Sequence, residues 1–310
     1  MSAAASARET DDGPWTVLRT MLWSADYLKT KGVESARLDA EYLLAHVLRL
    51  GRLEMYLQHE RPLTGSELDE FRPLLKRRAK REPLQYVLGR QSFRSLELEV
   101  GHGVLIPRPE TEQLVEAVLS WAREFEQAGC VGMVGLDVGT GSGAIALSLL
   151  SEGPFERFVA TDLSSAALGV AARNRDALGL TSRLEMRGGT LFEPLASGER
   201  FDAIVSNPPY VSESDRVALA PEIVDWEPAE ALFGGSDGLS VIRPIVAGAP
   251  VHLRPGGLLA LEIGVGQGRT VAALLEMSEH YRDVKIRKDL AGKERIVTAI
   301  ASPSNNERRA

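Results

Sequence analysis

From residue 15 to about residue 88 the apolar positions recur at helical period, with almost no strand signal. Trp15, Leu18, Met21, Leu22, Ala25 and Leu28 fall at spacings that place them on one helix face. Leu38, Leu43, Leu44, Val47 and Leu48 predict a second helix, and Thr64-Gly65-Ser66-Glu67 reads as a capping box opening a third, through Phe71 and Leu75. A small helical bundle is therefore expected over 15–88. Between 89 and 109 the period changes to two, at Leu96, Leu98 and Val100, with Gly101 and Gly103 as breakers, which predicts a β-hairpin linker. Pro107-Arg108-Pro109 closes it and opens a helix. Over 110–301 the pattern alternates: strands are predicted at 133–138, 157–161, 183–186, 201–206 and 257–262, with helical stretches between. Such alternation implies an α/β fold with a doubly wound, mostly parallel sheet. Two more strands, 284–287 and 295–300, complete seven as an antiparallel pair. Residues 1–14 and 302–310 are polar or small and are expected to be a disordered leader and tail.

Composition narrows the setting. At 310 residues the chain suits two domains, with 44% hydrophobic and 25% charged residues. No apolar run approaches the ~20 residues of a membrane span, and the start has neither a basic nor a hydrophobic targeting region. The single cysteine, Cys130, forms no internal disulfide, which fits a reducing compartment and predicts a cytoplasmic protein. The histidines are scattered, and no Cys/His spacing resembles a metal site, so no metal is expected. A net charge of −7 argues against broad electrostatic capture of nucleic acid. One basic cluster, Lys76, Arg77, Arg78, Lys80 and Arg81, reads either as a solvated helix face or as a contact for an acidic partner or RNA phosphates.

The chemistry begins at a glycine loop. Val134 to Val138 runs as a strand into Gly139-Thr140-Gly141-Ser142-Gly143 and then a helix, an order that lets a ligand press against bare backbone. Asp162 ends the next strand about 20 residues on, where a carboxylate can accept both hydroxyls of an adenosine ribose. The plainer reading is a tight turn with Asp162 capping a helix. Gly139-x-Gly141-x-x-Ala144 also satisfies a dinucleotide fingerprint, so a nicotinamide dehydrogenase competes, whereas no Gly-Lys-Ser/Thr follows to make a phosphate-binding P-loop.

The strand at 201–206 ends in Asn207-Pro208-Pro209-Tyr210. In a doubly wound sheet this strand neighbours the first, so its carboxyl end overlooks the ligand crevice. Two prolines remove two N–H groups and leave carbonyl acceptors with few competing donors. The Asn207 side-chain oxygen and the Pro208 carbonyl can each take one hydrogen from a planar –NH₂ group, and Tyr210 can stack on the π-system that carries it. An amide or nucleobase nitrogen is a poor nucleophile because its lone pair is conjugated. Binding both hydrogens turns that lone pair toward an electrophile and stabilises the developing positive charge. The predicted chemistry is in-line methyl transfer from S-adenosylmethionine, with Asn207, Pro208 and Tyr210 as the catalytic group and Asn207 also touching the cofactor.

At these residues the sequence resembles amino-methyltransferases that share Asn-Pro-Pro-Tyr. Pro83-Leu84-Gln85-Tyr86-Val87-Leu88-Gly89, the run Val104-Leu105-Ile106-Pro107-Arg108-Pro109-Glu110-Thr111-Glu112, Glu227-Pro228, Leu261-Glu262-Ile263-Gly264 with Gln267-Gly268, and Lys288-Asp289-Leu290-Ala291-Gly292 narrow that group. They are similar to the release-factor glutamine methyltransferase family, PrmC/HemK. The resemblance implies a Rossmann-like class I methyltransferase domain preceded by a helical substrate-recognition domain. It implies N5-methylation of the glutamine in the Gly-Gly-Gln loop of bacterial class I peptide chain release factors, by a monomer. By position, Gly139, Thr140, Gly141, Ser142, Gly143, Asp162, the Thr190-Leu191 site and Asn207 would contact S-adenosylmethionine. Asn207, Pro208, Pro209 and Tyr210 would hold the glutamine. Where the family usually has an Asp followed by a bulky residue beside the adenine, this chain has Gly189-Thr190-Leu191-Phe192. A nucleic-acid amino-methyltransferase, acting on adenine N6 or guanine N2, is the alternative, and it calls for a broad basic surface or a recognition insert. A non-enzymatic adenosylmethionine-binding module is a third reading.

Overall fold

The computed structural model describes residues 13–303, so the expected leader and tail lie outside the described residues except for Gly13, Pro14, Ser302 and Pro303. The chain divides into two compact units, Met1–Leu88 and Gly89–Ala310.

The first unit is helical: α1 (Val17–Thr30), α2 (Ala36–Leu48), α3 (Arg52–Leu57), α4 (Gly65–Ala79) and α5 (Leu84–Leu88). The capping box at α4 forms as its sequence requires, the Thr64 side chain taking the Glu67 N–H while Glu67 Oε2 takes the Thr64 N–H. The buried face of α1 differs from the expected one. Val17, Thr20, Met21, Ser24 and Leu28 turn inward, Trp15 precedes the helix, and Leu22 is exposed. A seam at 17, 20, 21, 24 and 28 keeps helical period while admitting two small polar residues, Thr20 and Ser24, which carry no hydrophobic signal. Leu28, Leu43, Leu44, Met55 and Phe71 share the core.

The basic cluster is largely engaged within this unit. Arg78 is buried and pairs with the buried Asp39 at 2.6 Å, Arg77 Nε donates to Glu82 at 2.9 Å, and Arg81 donates to the Gly32 carbonyl at 2.6 Å. Neither reading of the cluster as a free surface describes these three side chains.

The second unit begins with an antiparallel hairpin, β1 (Arg90–Phe93) and β2 (Leu96–Glu99). It belongs to this unit's core, which takes in Phe93, Leu96 and Leu98. Asn174 reinforces the attachment, accepting the Glu99 N–H and donating to the carbonyls of Glu99 and Ser142. The chain then runs α6 (Pro109–Gln127), β3 (Met133–Val138), α7 (Ala144–Glu152), β4 (Phe155–Asp162), α8 (Ser165–Ala177), β5 (Leu184–Gly188) and β6 (Phe201–Ser206). Short α9 (Pro221–Val224) and α10 (Ala229–Leu232) precede α11 (Ile242–His252), β7 (Leu253–Glu262), α12 (Gly268–Glu276), β8 (Tyr281–Lys288) and β9 (Glu294–Ala301).

The seven strands lie in the order β5-β4-β3-β6-β7-β9-β8. Pairing is parallel from β5 through β7, and β9 runs antiparallel to both its neighbours. All six residues of β3 and all six of β6 are buried, as central strands covered on both faces must be. Strand order reverses between β3 and β6, so the crevice at their carboxyl ends is the expected ligand site.

Candidate functional site

A cavity of about 660 Å³ opens at the ends of β3, β4 and β6. On one side the chain leaves β3 into the glycine loop. Gly139 and Gly141 take φ of +74° and +56°, a region that costs most residues free energy, yet an added Cβ at either meets no protein atom within 4 Å. Conformation, not protein crowding, demands glycine there. The loop is pinned by the Thr161 carbonyl, which accepts from Gly139 N at 2.8 Å and Thr140 N at 3.0 Å.

Two carboxylates stand beside it. Asp162 accepts from Gly141 N through Oδ2 and from Ser164 N through Oδ1, both at 2.8 Å, and Ser164 is the N-cap of α8. Burial pushes its carboxyl up, opposed by the two backbone bonds. Asp137, fully buried in β3, accepts from Thr140 Oγ1 at 2.7 Å and Ala146 N at 3.3 Å through Oδ2 alone. Its Oδ1 has no hydrogen-bond partner among the described residues. Burial pushes this carboxyl up to about 7.

Opposite the glycine loop, Asn207 leaves β6. Ser206 ties that strand to β3 by donating to the Val138 carbonyl at 2.7 Å. Asn207 Nδ2 donates to Thr111 Oγ1 at 3.0 Å, and Thr111, in the first turn of α6, donates to Glu262 Oε2 at 2.6 Å. Tyr210 donates its hydroxyl to the other oxygen of Glu262 at 3.0 Å. Glu262 ends β7 and is fully buried; burial raises its carboxyl against the two hydroxyl bonds and the charge of Arg295. Burial and the nearby Glu262 likewise raise the Tyr210 phenol. Gln267 fixes the rest of the loop, accepting from Gly264 N at 2.8 Å and donating to the Tyr210 carbonyl at 3.0 Å.

The third wall is the segment before α6. Buried Glu227 accepts from the Ile106 N–H at 3.1 Å and pairs with Arg108, holding the strip that places Leu105, Pro107 and Thr111 on the cavity.

Of the residues singled out in the sequence, Gly139, Thr140, Gly141, Ser142, Asp162, Thr190, Leu191, Asn207 and Pro209 line this one cavity. Gly143, Pro208 and Tyr210 are not among its lining residues. Gly143 sits behind the loop, where an added Cβ would come within 3.0 Å of Leu147 and 3.4 Å of Ala171. Tyr210 has its ring against the core and its hydroxyl on Glu262. Phe192 is turned away too, stacked on His252 at 5.2 Å, while Leu191 adopts φ +50° and offers its carbonyl to Thr161 Oγ1. Sequence reasoning missed Thr111, which lines the cavity, and the buried carboxylates Asp137, Glu262 and Glu227, which stand behind its lining. For Asp137 and Glu262 the signal was a lone carboxylate inside an otherwise apolar strand run; Thr111 carried none beyond its place in the proline-arginine-proline stretch.

Comparison with known proteins fits this geometry. The PrmC N-terminal domain matches residues 20–89 and the Methyltransferase small domain matches 122–235. Among solved structures, the hMettl16 catalytic domain in complex with MAT2A 3'UTR hairpin 6 is 15% identical, covers 74% of this chain and 84% of that one, and superposes with a TM-score of 0.53. That likeness speaks to fold alone. Sequence relatives are closer: the release factor glutamine methyltransferases of Cereibacter sphaeroides and Rhodopirellula baltica are 45% and 36% identical, over 88% and 94% of this chain and 94% and 98% of theirs. The enzyme of that name from Geobacter sulfurreducens is 44% identical over 283 residues, 91% of this chain and 96% of its own. With identity at that level over nearly the full length of both chains, this protein belongs to the release factor glutamine methyltransferase family.

Proposed function

We propose that the protein transfers a methyl group from S-adenosylmethionine to the side-chain amide nitrogen, N5, of the glutamine in the Gly-Gly-Gln loop of a class I peptide chain release factor. The observation that carries this reading is that Asn207 and Pro209 share one cavity with the Gly139-to-Ser142 loop and Asp162. Its volume lies within the range of about 300–1,000 Å³ for small-molecule sites.

The residues fit the cofactor. Asp162 has used one acceptor position on each oxygen, and a carboxylate offers about four, so two remain for the vicinal ribose hydroxyls. Asp137 stands behind the glycine loop, fully buried and off the cavity lining; its orphaned Oδ1 has the chemistry to receive a cationic donor such as the methionine ammonium. Leu191 and Leu163, the latter 71% exposed on the cavity, give the adenine apolar cover where Thr190 supplies only a hydroxyl. When bound, S-adenosylmethionine supplies an electrophilic methyl: the N–C bond forms as the S–C bond breaks, and one amide proton leaves to water.

The chain's own groups orient the nitrogen. Asn207 Oδ1 is assigned one amide hydrogen and the Pro208 carbonyl, whose residue is buried and off the cavity lining, the other; holding both twists the lone pair out of conjugation and stabilises charge developing on nitrogen. The stacking role expected of Tyr210 gains no support from its placement; holding Glu262 is the role its hydroxyl supports. The helical unit, residues 15–88, is assigned the docking of the release factor, because the cavity itself meets only a small planar amide. Arg77, Arg78 and Arg81 are engaged within the unit, which leaves Lys76 and Lys80 as the exposed cations of that cluster, short of the broad basic surface that the nucleic-acid alternative calls for. The same reading makes the protein a cytoplasmic monomer. Incubation with labelled S-adenosylmethionine and, separately, release factor, tRNA, rRNA and DNA tests it. Mass spectrometry should place the label on the loop glutamine, and label on nucleic acid instead would replace this reading with its rival.

A further inference from the structure

Asn207 is useful to an –NH₂ substrate only in one of two orientations. With Oδ1 toward the substrate it accepts; with Nδ2 there it opposes donor to donor. The two orientations have nearly the same shape, so sterics alone does not choose between them.

The groups behind Asn207 do choose. Glu262 is fully buried, at the end of β7, and as a carboxylate it can only accept. It takes the Thr111 hydroxyl at 2.6 Å on one oxygen and the Tyr210 hydroxyl at 3.0 Å on the other. Thr111 has a single hydroxyl hydrogen. Having given it to Glu262, Thr111 Oγ1 faces Asn207 as an acceptor, at 3.0 Å, and only the –NH₂ end of the amide satisfies it. Thr111 itself is 3% exposed, so water does not replace either partner readily. Direction is thus handed on from α6 and β7 to the loop after β6.

We propose that Thr111 and Glu262 are positioning residues that set the polarity of the Asn207 amide, turning its oxygen toward the substrate and making the site selective for a nitrogen that carries two hydrogens. Tyr210 holds the second oxygen of Glu262, so the same carboxylate fixes both ends of the Asn207–Tyr210 loop. This rests on the transfer reaction proposed above and adds to it the device that orients its acceptor.

The test is Thr111→Val, which keeps the side-chain shape and removes the hydroxyl, assayed in the full-length protein with S-adenosylmethionine and release factor. The expected result is a fall in kcat of tenfold or more, with the cofactor Kd and the KM for release factor within about threefold of wild type. Thr111→Ser, which restores the hydroxyl, should recover kcat to within about threefold. In an Asn207→Ala background Thr111→Val should cost less than about twofold more, because no amide is left to orient. A role confined to packing α6 would lower thermal stability and add to Asn207→Ala independently. Glu262→Gln supplies a second variant: its –NH₂ replaces one of the two acceptor oxygens, so the Thr111 or the Tyr210 hydroxyl meets a donor, and kcat should fall while the cofactor Kd holds. A Thr111→Val kcat loss below tenfold, or additive losses in the double variant, overturns the proposal. The two readings fail separately. Wild-type protein that leaves release factor unmethylated removes the substrate assignment, and the Thr111 series is then read on whichever acceptor the wild type modifies.

Discussion

Replacing Asp162 with alanine separates two functions that one carboxylate performs. Each oxygen holds a backbone N–H at 2.8 Å, Gly141 in the glycine loop and Ser164 at the start of α8. Removing both acceptors leaves two donors beside a cavity that water can enter, a cost of about 1–3 kcal/mol to the fold. The proposed ribose contacts add a separate loss. Hydrogen bonds to a charged group contribute about 1.5–3 kcal/mol, which corresponds to a Kd for S-adenosylmethionine raised roughly tenfold to 150-fold. Asp162→Asn should be no milder. Its –NH₂ must face either the Gly141 or the Ser164 N–H, donor against donor, so the isosteric change disturbs the loop that alanine merely releases. Isothermal titration gives the Kd and thermal unfolding gives the stability. A lowered Tm with an unchanged Kd would show that Asp162 only caps α8 and ties down the loop, and would refute its role as the ribose acceptor.

The strand pattern of the second unit was legible because its causes are local. Strands β3 and β6 begin and end where the apolar runs do, Met133–Val138 and Phe201–Ser206, since both are buried on both faces and tolerate no polar interruption but an isolated carboxylate. Strands were read short where their residues are exposed: β7 begins at Leu253 and β4 at Phe155, each with an exposed pair near its start, and edge strand β8 runs Tyr281–Lys288 with most of its residues exposed; exposure erases the hydrophobic mark that would show such ends. In the helical unit α3 and α5 went unseen. At six and five residues they are too short to display a period, and Met55 is the only buried residue of α3.

The site divides along the same line. Its glycines, Asp162 and Asn207 were readable because each belongs to a strand end, and parallel α/β topology brings strand ends together. Thr111 and Glu262 were not, because they meet across 151 residues of sequence through one 2.6 Å hydrogen bond. No spacing rule encodes that contact. The basic cluster was legible only in part for a related reason: Lys76 and Lys80 are exposed as a solvated face would be, whereas the partners of Arg78 and Arg81, Asp39 and the Gly32 carbonyl, lie far back in the sequence, and only packing reveals that those charges are engaged.

Further outcomes follow from the same contacts. Asn207→Ala should lower turnover a hundredfold or more with a much smaller change in cofactor Kd, as for other groups that act on developing charge; single-turnover transfer to release factor measures it, and near-normal turnover refutes the acceptor role. Arg78→Ala strands Asp39 in the helical core and should destabilise that unit by about 3–5 kcal/mol in denaturant unfolding, and a loss under about 1 kcal/mol would mean that water reaches the pair. Asp137 gives a pH signature. Its carboxyl titrates near 7 in the folded protein against a usual 3.8, so between these values the folded state holds a proton that the unfolded state has released. The stabilisation this brings is complete below about pH 4 and is lost as pH rises through 7, on the order of 4 kcal/mol in all. Asp137→Asn keeps an acceptor for Thr140 and Ala146 and carries no charge, so its stability should stay flat over that window and exceed wild type at pH 8. The gain has a functional cost. If the unpartnered Oδ1 receives the cofactor's ammonium, wild-type binding must expel the proton, so affinity should rise as pH passes through 7, with proton release visible as a dependence of binding enthalpy on buffer. Asp137→Asn should lose both the affinity and the proton release. Binding enthalpies that are independent of buffer at pH 6.5 would show that Asp137 is already ionised or does not meet the cofactor, and parallel stability profiles for the two proteins would decide for the former.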